Sequence, residues 1–535
     1  MNQMDVKRKR YAIVSNIIFI INILVLSNVT GEQGIGYLAG AFECFILIFL
    51  LTAYSLPEVM ARMIRSRMQK GQGKNAHRVF KAVLLLCVLY SVLGSLVLLF
   101  GADFLMVKLF RVSYGAFTLR LLIPAYILSV FAQAYRGYFQ GMGSAVPTGI
   151  SLILEKIILF VTGLVFCFLF GSHGKKVSAL LVNPEFRASF SAAGIAVGLD
   201  LAMLSAVLFL LFVYQTNKRN LKNNARETMR LSERMGELAY SVAAAMLPWA
   251  AYGLLARIPV LGGMALYQQG IMEDVKGGIG ICGAFYGKYL AAVLLFAMAV
   301  KLPLVSMESA VLGAYRKEEF KSGREKLSWG IHFVIINGSF LAVMLAVLGD
   351  SLMAGFFAGD SGQAGKLLLY GSSFVLFFLA GSFFGDILIG QGRMNTVLLS
   401  HFAGVLVFFL YGGVSSRMAH SGMEGIVIGL SLCWLVITGI TGFGIMRFMK
   451  WEPEWVYLLL IPVGTSALTG ILAVLLNKAL SNLAGKGVSF LICFIMGMVC
   501  NFVLLLALRG LRREELAVIP GGRLLVRFAK IIRLL

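Results

Sequence analysis

Phe131-Ala-Gln-Ala-Tyr-Arg-Gly-Tyr-Phe-Gln-Gly-Met-Gly-Ser-Ala-Val-Pro147 carries an apolar helix to its end and starts another. The outgoing helix closes in Tyr135, Arg136, Gly137, Gln140, Gly141 and Gly143, and Pro147 opens the next, which holds Glu155 just inside. Proline is at home in a first helical turn, where its missing N–H costs nothing. Far downstream, Phe384-Gly-Asp-Ile-Leu-Ile-Gly-Gln-Gly-Arg-Met-Asn-Thr396 repeats the pattern: an apolar helix, a Gln-Gly pair, a polar turn, another apolar helix. A duplicated hairpin between membrane helices is the unit from which the fold is read.

Of the 535 residues 59% are hydrophobic and 14% charged, with a mean hydropathy of +0.85. Soluble domains keep about 25% charged residues, so the chain is an integral membrane protein. The net charge of +23 does not indicate nucleic acid, because the Lys and Arg residues cluster in short loops between apolar runs. The seven cysteines form no CxxC pair, so neither a disulfide framework nor a metal site is expected, and no cofactor. Lys7 to Arg10 precede an apolar run without a small-residue cleavage site, which reads as a retained first span.

A spanning helix takes about 20 apolar residues. On that rule spans fall at 11–30, 36–60, 80–101, 116–138, 147–170, 190–214, 238–262, 284–312, 328–349, 367–390, 396–415, 425–447, 455–476 and 487–508. The expected fold is therefore all-α and polytopic, with about fourteen transmembrane helices. Basic residues fall on alternate loops, among them Arg65 to Lys81, Lys218 to Arg234, Arg316 to Lys326, Arg447, Lys450 and Arg509 to Arg513. The opposite loops are short, and one of them, Met272–Gly278, contains acids. The positive-inside rule then puts both termini in the cytoplasm, as an even span count requires.

The basic loop Arg65–Arg78 after span two has a counterpart, Leu312–Glu325, after span eight. Spans one to six and seven to twelve thus form two six-helix lobes in parallel repeat. The expected boundaries are 1–236 and 237–450 for the lobes, 451–510 for two appended spans, and 511–535 for a tail. In that tail Arg523, Arg527 and Lys530 share one face and Leu524, Phe528 and Ile531 populate the rest. It reads as an amphipathic helix on the anionic membrane surface.

With Ala134-Tyr-Arg-Gly-Tyr-Phe-Gln-Gly-Met-Gly on span four, Pro147-Thr and Glu155 on span five, and two lobes of spans, the chain resembles a known family. This is the polysaccharide-transport branch, with stage V sporulation protein B-like members, of the multidrug/oligosaccharidyl-lipid/polysaccharide (MOP) exporter superfamily. The resemblance covers essentially the whole chain, and its sharp parts are Arg136–Gln140 and Pro147–Glu155. It implies a flippase for undecaprenyl-pyrophosphate-linked saccharides, including peptidoglycan precursors, working by alternating access in the cytoplasmic membrane. The partners implied are the lipid-linked saccharide, membrane lipids and a coupling proton or sodium ion; a monomer is expected. Leu159 stands where members often carry arginine, and the first span lacks the arginine of related lipid II flippases.

Ionisable residues inside a span cost about 2.5–3.5 kcal/mol each on insertion scales, so they face a cavity or a partner. They are Glu43, Glu58, Arg62, Arg136, Glu155, Lys156, Asp200, Arg257, Lys301, Glu308 and Asp386. A pyrophosphate needs cationic ligands, which makes Arg62, Arg257 and Lys301 the candidate substrate residues. Against this, Arg62 sits four residues after Glu58 on one helix face and can pair with it. Glu43, Glu58, Asp200 and Glu308 are the candidates for coupling or gating. Lys301 and Glu308 lie two turns apart around Pro303, either as a coupling pair or as one that only neutralises itself. Asp200 is either a coupling carboxylate or paired with a neighbouring helix. Arg136, Gly137, Gln140, Gly141, Pro147 and Glu155 are expected to hold the hairpin, with Arg136 pairing Glu155. His332 and His401 are expected at the membrane interface.

The alternative transporter reading is a proton- or sodium-coupled multidrug exporter. A membrane glycosyltransferase, polymerase or ligase would need long outer loops with catalytic acids, and no paired carboxylates, metal cluster or nucleophile motif is present. A non-transporting scaffold would be expected to lack the charges of spans seven and eight.

Overall fold

The computed structural model of the chain describes residues 3–112, 114–223, 233–270, 275–357, 361–418 and 422–511. The amphipathic tail and the acids Glu273 and Asp274 of the expected outer loop lie outside the described residues.

Seventeen α-helices and three short π-helical stretches, with no strand among the described residues, make up the fold. They are α1 (Gln3–Thr52), α2 (Leu56–Gln69), α3 (Gly73–Asp103), α4 (Gly115–Leu121), α5 (Ile123–Gly141), α6 (Val146–Leu181), α7 (Glu185–Asn223), α8 (Met235–Gly270) and α9 (Val275–Gly283). There follow α10 (Ala291–Arg316), α11 (Phe320–Phe356), α12 (Ser361–Gly371), α13 (Ser373–Gly390), α14 (Met394–Met418), α15 (Gly422–Met449), α16 (Ile461–Ala484) and α17 (Lys486–Ala507). Thirteen described stretches are long and apolar enough to cross a bilayer. The first of them, Val6–Gln69, runs for 64 residues, roughly 96 Å if straight, against a hydrocarbon core of about 30 Å. It contains the first two expected spans, and the break between them is visible: Gly31 takes φ 73° and ψ 174° inside α1. That region of backbone space is open essentially to glycine alone.

Two compact units form, residues 2–287 and residues 288 onward. The repeat boundary read from the sequence, 236/237, falls inside the first unit, because α8 packs against α1, α2 and α3. In the second unit α11 is the hub, touching α10, α12, α13, α16 and α17.

Each unit contains one copy of the hairpin, and the two share details that the sequence alone did not display. Expected span four is broken into α4 and α5 at Leu122, and expected span ten into α12 and α13 at Ser372. Downstream of each break, the helix ends on a left-handed glycine, Gly143 (φ 95°) or Gly392 (φ 78°). Ser144 N–H then donates to Phe139 O at 3.0 Å, and Arg393 N–H to Leu388 O at 2.8 Å. These are the six-to-one bonds of a Schellman closure, which satisfies carbonyls that the helix end would otherwise orphan. The geometry therefore aligns Gly143 with Gly392, two residues away from the Gln-Gly register read from the sequence.

The glycines of the first hairpin have a packing reason. A Cβ on Gly137 would meet the backbone Cα of Pro57 at 2.8 Å, and one on Gly141 would meet Ile64 at 2.6 Å. Four residues apart, they form the groove on α5 into which α2 sinks.

Candidate functional site

In the first unit the motif is a buried polar cluster. Arg136 Nη2 donates to Glu155 Oε2 at 2.8 Å, and Nε donates to Ser151 Oγ at 3.0 Å. Both charged side chains are only 2% exposed, and Lys156 also reaches Glu155. Thr148 Oγ1 donates to the Arg136 carbonyl and accepts from Gln140 Nε2 at 3.4 Å. Residues so enclosed hold α5 to α6; they offer no surface to a ligand.

Glu58 sits in a second cluster, in the first turn of α2. It receives Arg8 from the basic N-terminal run and Arg62 Nε at 3.0 Å, while Arg8 also donates to Gln140 Oε1 at 3.3 Å. Arg62 lies over the Trp249 ring at 5.3 Å, with 61% of its side chain exposed. Its same-helix partner is thus in place, as the four-residue spacing permits.

Arg257 is held differently. Its Nε donates to Glu43 Oε2 at 2.8 Å, its Nη2 reaches Glu43 Oε1, and the same Nη2 lies 3.2 Å from the Tyr286 hydroxyl. The planar guanidinium thus grips the carboxylate with both prongs, the strongest geometry open to an ion pair. Glu43 is fully buried, whereas Arg257 keeps 26% of its side chain exposed. Pro248 and Pro259 lie inside α8, and proline within a helix releases backbone hydrogen bonds and bends it. Tyr286 stands in the π-helical stretch Ala284–Leu290, a distortion often found at functional positions.

In the second unit Lys301 Nζ lies 3.7 Å from Asp386 Oδ2 on α13, with both side chains about a fifth to a quarter exposed, at 21% and 25%. Its ammonium also lies 5.8 Å from the Phe378 ring. The expected Lys301–Glu308 pairing is corrected here. Two turns along a helix place the groups on one face but some 10 Å apart, and a carboxylate on the neighbouring helix is nearer. Glu308 is buried at 1% exposure.

Asp200 accepts the Ala125 N–H at 2.7 Å. Ala125 is in the first turn of α5, just after the break at Leu122. A carboxylate there caps exposed donors and meets the positive end of the helix dipole. His332 and His401 are each 1% exposed, so both side chains are packed inside the protein. His332 packs on the Tyr457 ring at 4.5 Å and His401 edge-on to Trp434 at 5.7 Å.

Arg257 with Glu43 in the first unit and Lys301 with Asp386 in the second are thus cation–carboxylate pairs whose cations stay partly open. Each cation is neutralised at rest; an anion that displaced Glu43 would leave a fully buried carboxylate needing a proton or a new cation, whereas Asp386 is itself partly exposed. No group of three or more candidate metal ligands occurs among the described residues.

A sequence model of the family described as polysaccharide biosynthesis protein matches residues 11–307, more than half of the chain. The chain belongs to the polysaccharide biosynthesis protein family. Stage V sporulation protein B of Bacillus subtilis (strain 168) is 20% identical over 529 residues, covering 96% of each chain. Among solved structures, an inward-facing multidrug resistance MATE transporter of the MOP superfamily superposes with a TM-score of 0.66 at 14% identity, covering 84% of this chain and 98% of that one. Lipid II flippase MurJ in an inward closed conformation gives 0.63 at 12% identity, covering 93% and 97%. The fold is shared with these MOP superfamily structures, and this polysaccharide-family member is a multi-pass membrane protein.

The sequence reading of this polysaccharide-family member missed Tyr286, Lys288 and Arg8. Lys288, fully buried in the π-helical stretch, was legible as a charge inside span eight. Arg8 read as part of a solvated basic run, and nothing in its neighbours marks it as the partner of Glu58.

Proposed function

We propose that this transporter flips undecaprenyl-pyrophosphate-linked saccharides across the cytoplasmic membrane by alternating access of two six-helix lobes, with both termini on the cytoplasmic side. The observation that carries the reading is the open Arg257–Glu43 pair with Tyr286 beside it. A diphosphate offers the guanidinium the same bidentate geometry with more charge, so it can take the place of Glu43. Lys301, paired with Asp386 in the second unit, can receive the anion in the same manner. Arg62, already engaged by Glu58 and Trp249, is a weaker ligand. The released carboxylates, Glu43 and Asp386, are then the groups able to take up a coupling proton or sodium ion. Kinship with stage V sporulation protein B along nearly the whole length supports the polysaccharide side of the superfamily.

A multidrug exporter is the second reading, favoured by the MATE-like superposition. Reconstitution separates the two. Purified protein in proteoliposomes should expose the headgroup of undecaprenyl-pyrophosphate-linked saccharide on the opposite leaflet, faster than protein-free vesicles. Gradient-driven efflux of cationic dyes without any headgroup exposure would establish the drug-exporter reading instead.

A further inference from the structure

A second site lies within the second unit, between segments of two basic loops. A cavity of about 360 Å³ opens between the start of α11 and the connection from α15 to the π-helical stretch Val456–Leu460. Lys321, Arg324 and Lys450 supply three cations to its wall, and Glu325, Glu452 and Glu454 three carboxylates. Trp329, Trp451 and Tyr457 supply ring faces. Trp451 is fixed, 7% exposed, with its indole N–H donating to Ser328 Oγ at 2.7 Å. Arg324 Nη1 donates to the Lys450 carbonyl at 3.3 Å. Lys450 itself takes φ 48° directly after α15, where glycine is the usual residue. A cationic side chain thus occupies a backbone position that would be less strained without it.

The wall charges sum to zero, so it does not select a plain anion. What it matches is a ligand with a phosphate and an ammonium a few ångströms apart, beside aromatic faces that favour the ammonium. The surroundings indicate that the ligand carries acyl chains. Trp455, Val456 and Leu460, interleaved in sequence with the wall residues Glu454, Tyr457 and Leu458, are 59%, 64% and 68% exposed, an apolar ledge of the kind that seats at a membrane interface beside Trp and Tyr. We propose that this cavity binds the headgroup of a phosphoethanolamine lipid. The phosphate lies against Lys321, Arg324 and Lys450, and the ammonium against the carboxylates and indole rings. This site is independent of the transport reading and stands whether the cargo is a saccharide lipid or a drug.

Native mass spectrometry of the full chain tests it. Protein released from micelles doped with equal phosphatidylethanolamine, phosphatidylglycerol and phosphatidylcholine should retain the ethanolamine lipid over the glycerol lipid about tenfold, the ratio set by one charge-assisted contact. The double substitution Arg324→Ala and Lys450→Ala should abolish that preference. Glu452→Lys should reverse it toward phosphatidylglycerol, an inversion that a misfolded protein cannot produce. Equal retention of all three lipids by the wild type, or a preference for phosphatidylglycerol, would overturn the proposal. So would displacement of the bound lipid by millimolar inorganic phosphate, which would make the cavity a simple phosphate site.

Discussion

Arg257 and Glu43 bring the desolvation problem of a buried ion pair into one contact. Removing one partner leaves a charge enclosed, a loss of about 3–5 kcal/mol, whereas removing both is far milder. Arg257→Gln should therefore lower the unfolding temperature of the detergent-solubilised protein clearly, and Glu43→Gln with Arg257→Gln should recover most of the loss. A double variant as unstable as the single one would show that the pair does not carry the energetics assigned to it. Asp200 presents the opposite case. If its work is to cap α5 through Ala125 N–H, Asp200→Asn keeps an acceptor and should transport normally, while Asp200→Ala should cost about 1 kcal/mol of stability. Loss of transport in Asp200→Asn with unchanged stability would return Asp200 to a coupling role.

At the scale of elements, glycine positions govern the geometry. Gly137 lets α2 approach α5 so closely that a methyl group would strike the Pro57 backbone at 2.8 Å. Backbone cannot rotate aside as a side chain can, so Gly137→Ala should cost about 1–3 kcal/mol, read as a lowered unfolding temperature. Gly31 has open space around it, and its constraint is conformational. Gly31→Ala should cost a similar 1–3 kcal/mol through strain alone, and Gly31→D-Ala by semisynthesis should cost little. An L-alanine tolerated at Gly31 would contradict the kink that divides α1 into two spans.

For the molecule as a whole, the apolar runs made the membrane class and nearly every span legible, because about 20 apolar residues have few other uses. The duplicated hairpin was legible too, although its register was not. A Schellman closure is fixed by the left-handed glycine, and sequence does not say which of Gly141 and Gly143 takes that conformation. Partner choice was legible within a helix and across the tight hairpin: Arg62 with Glu58 follows from four-residue spacing and Arg136 with Glu155 from adjacent helices, but Lys301 with Asp386 joins helices far apart in sequence. The burial of His332 and His401 depended in the same way on which aromatic residue lay opposite. Orientation can be checked directly: all seven native cysteines are free and six are buried, so labelling background is low. Lys70→Cys should react with an impermeant thiol reagent only from the cytoplasmic face, and Lys176→Cys only from the other. The central claim is that Arg257 exchanges Glu43 for the diphosphate of the cargo. Its most direct test is the initial rate of headgroup exposure in proteoliposomes of wild type beside the Glu43→Gln/Arg257→Gln double variant. The account predicts a rate at least about tenfold lower in the variant, the value of one lost charge-assisted contact, despite near-normal stability. A double variant flipping at the wild-type rate would contradict it.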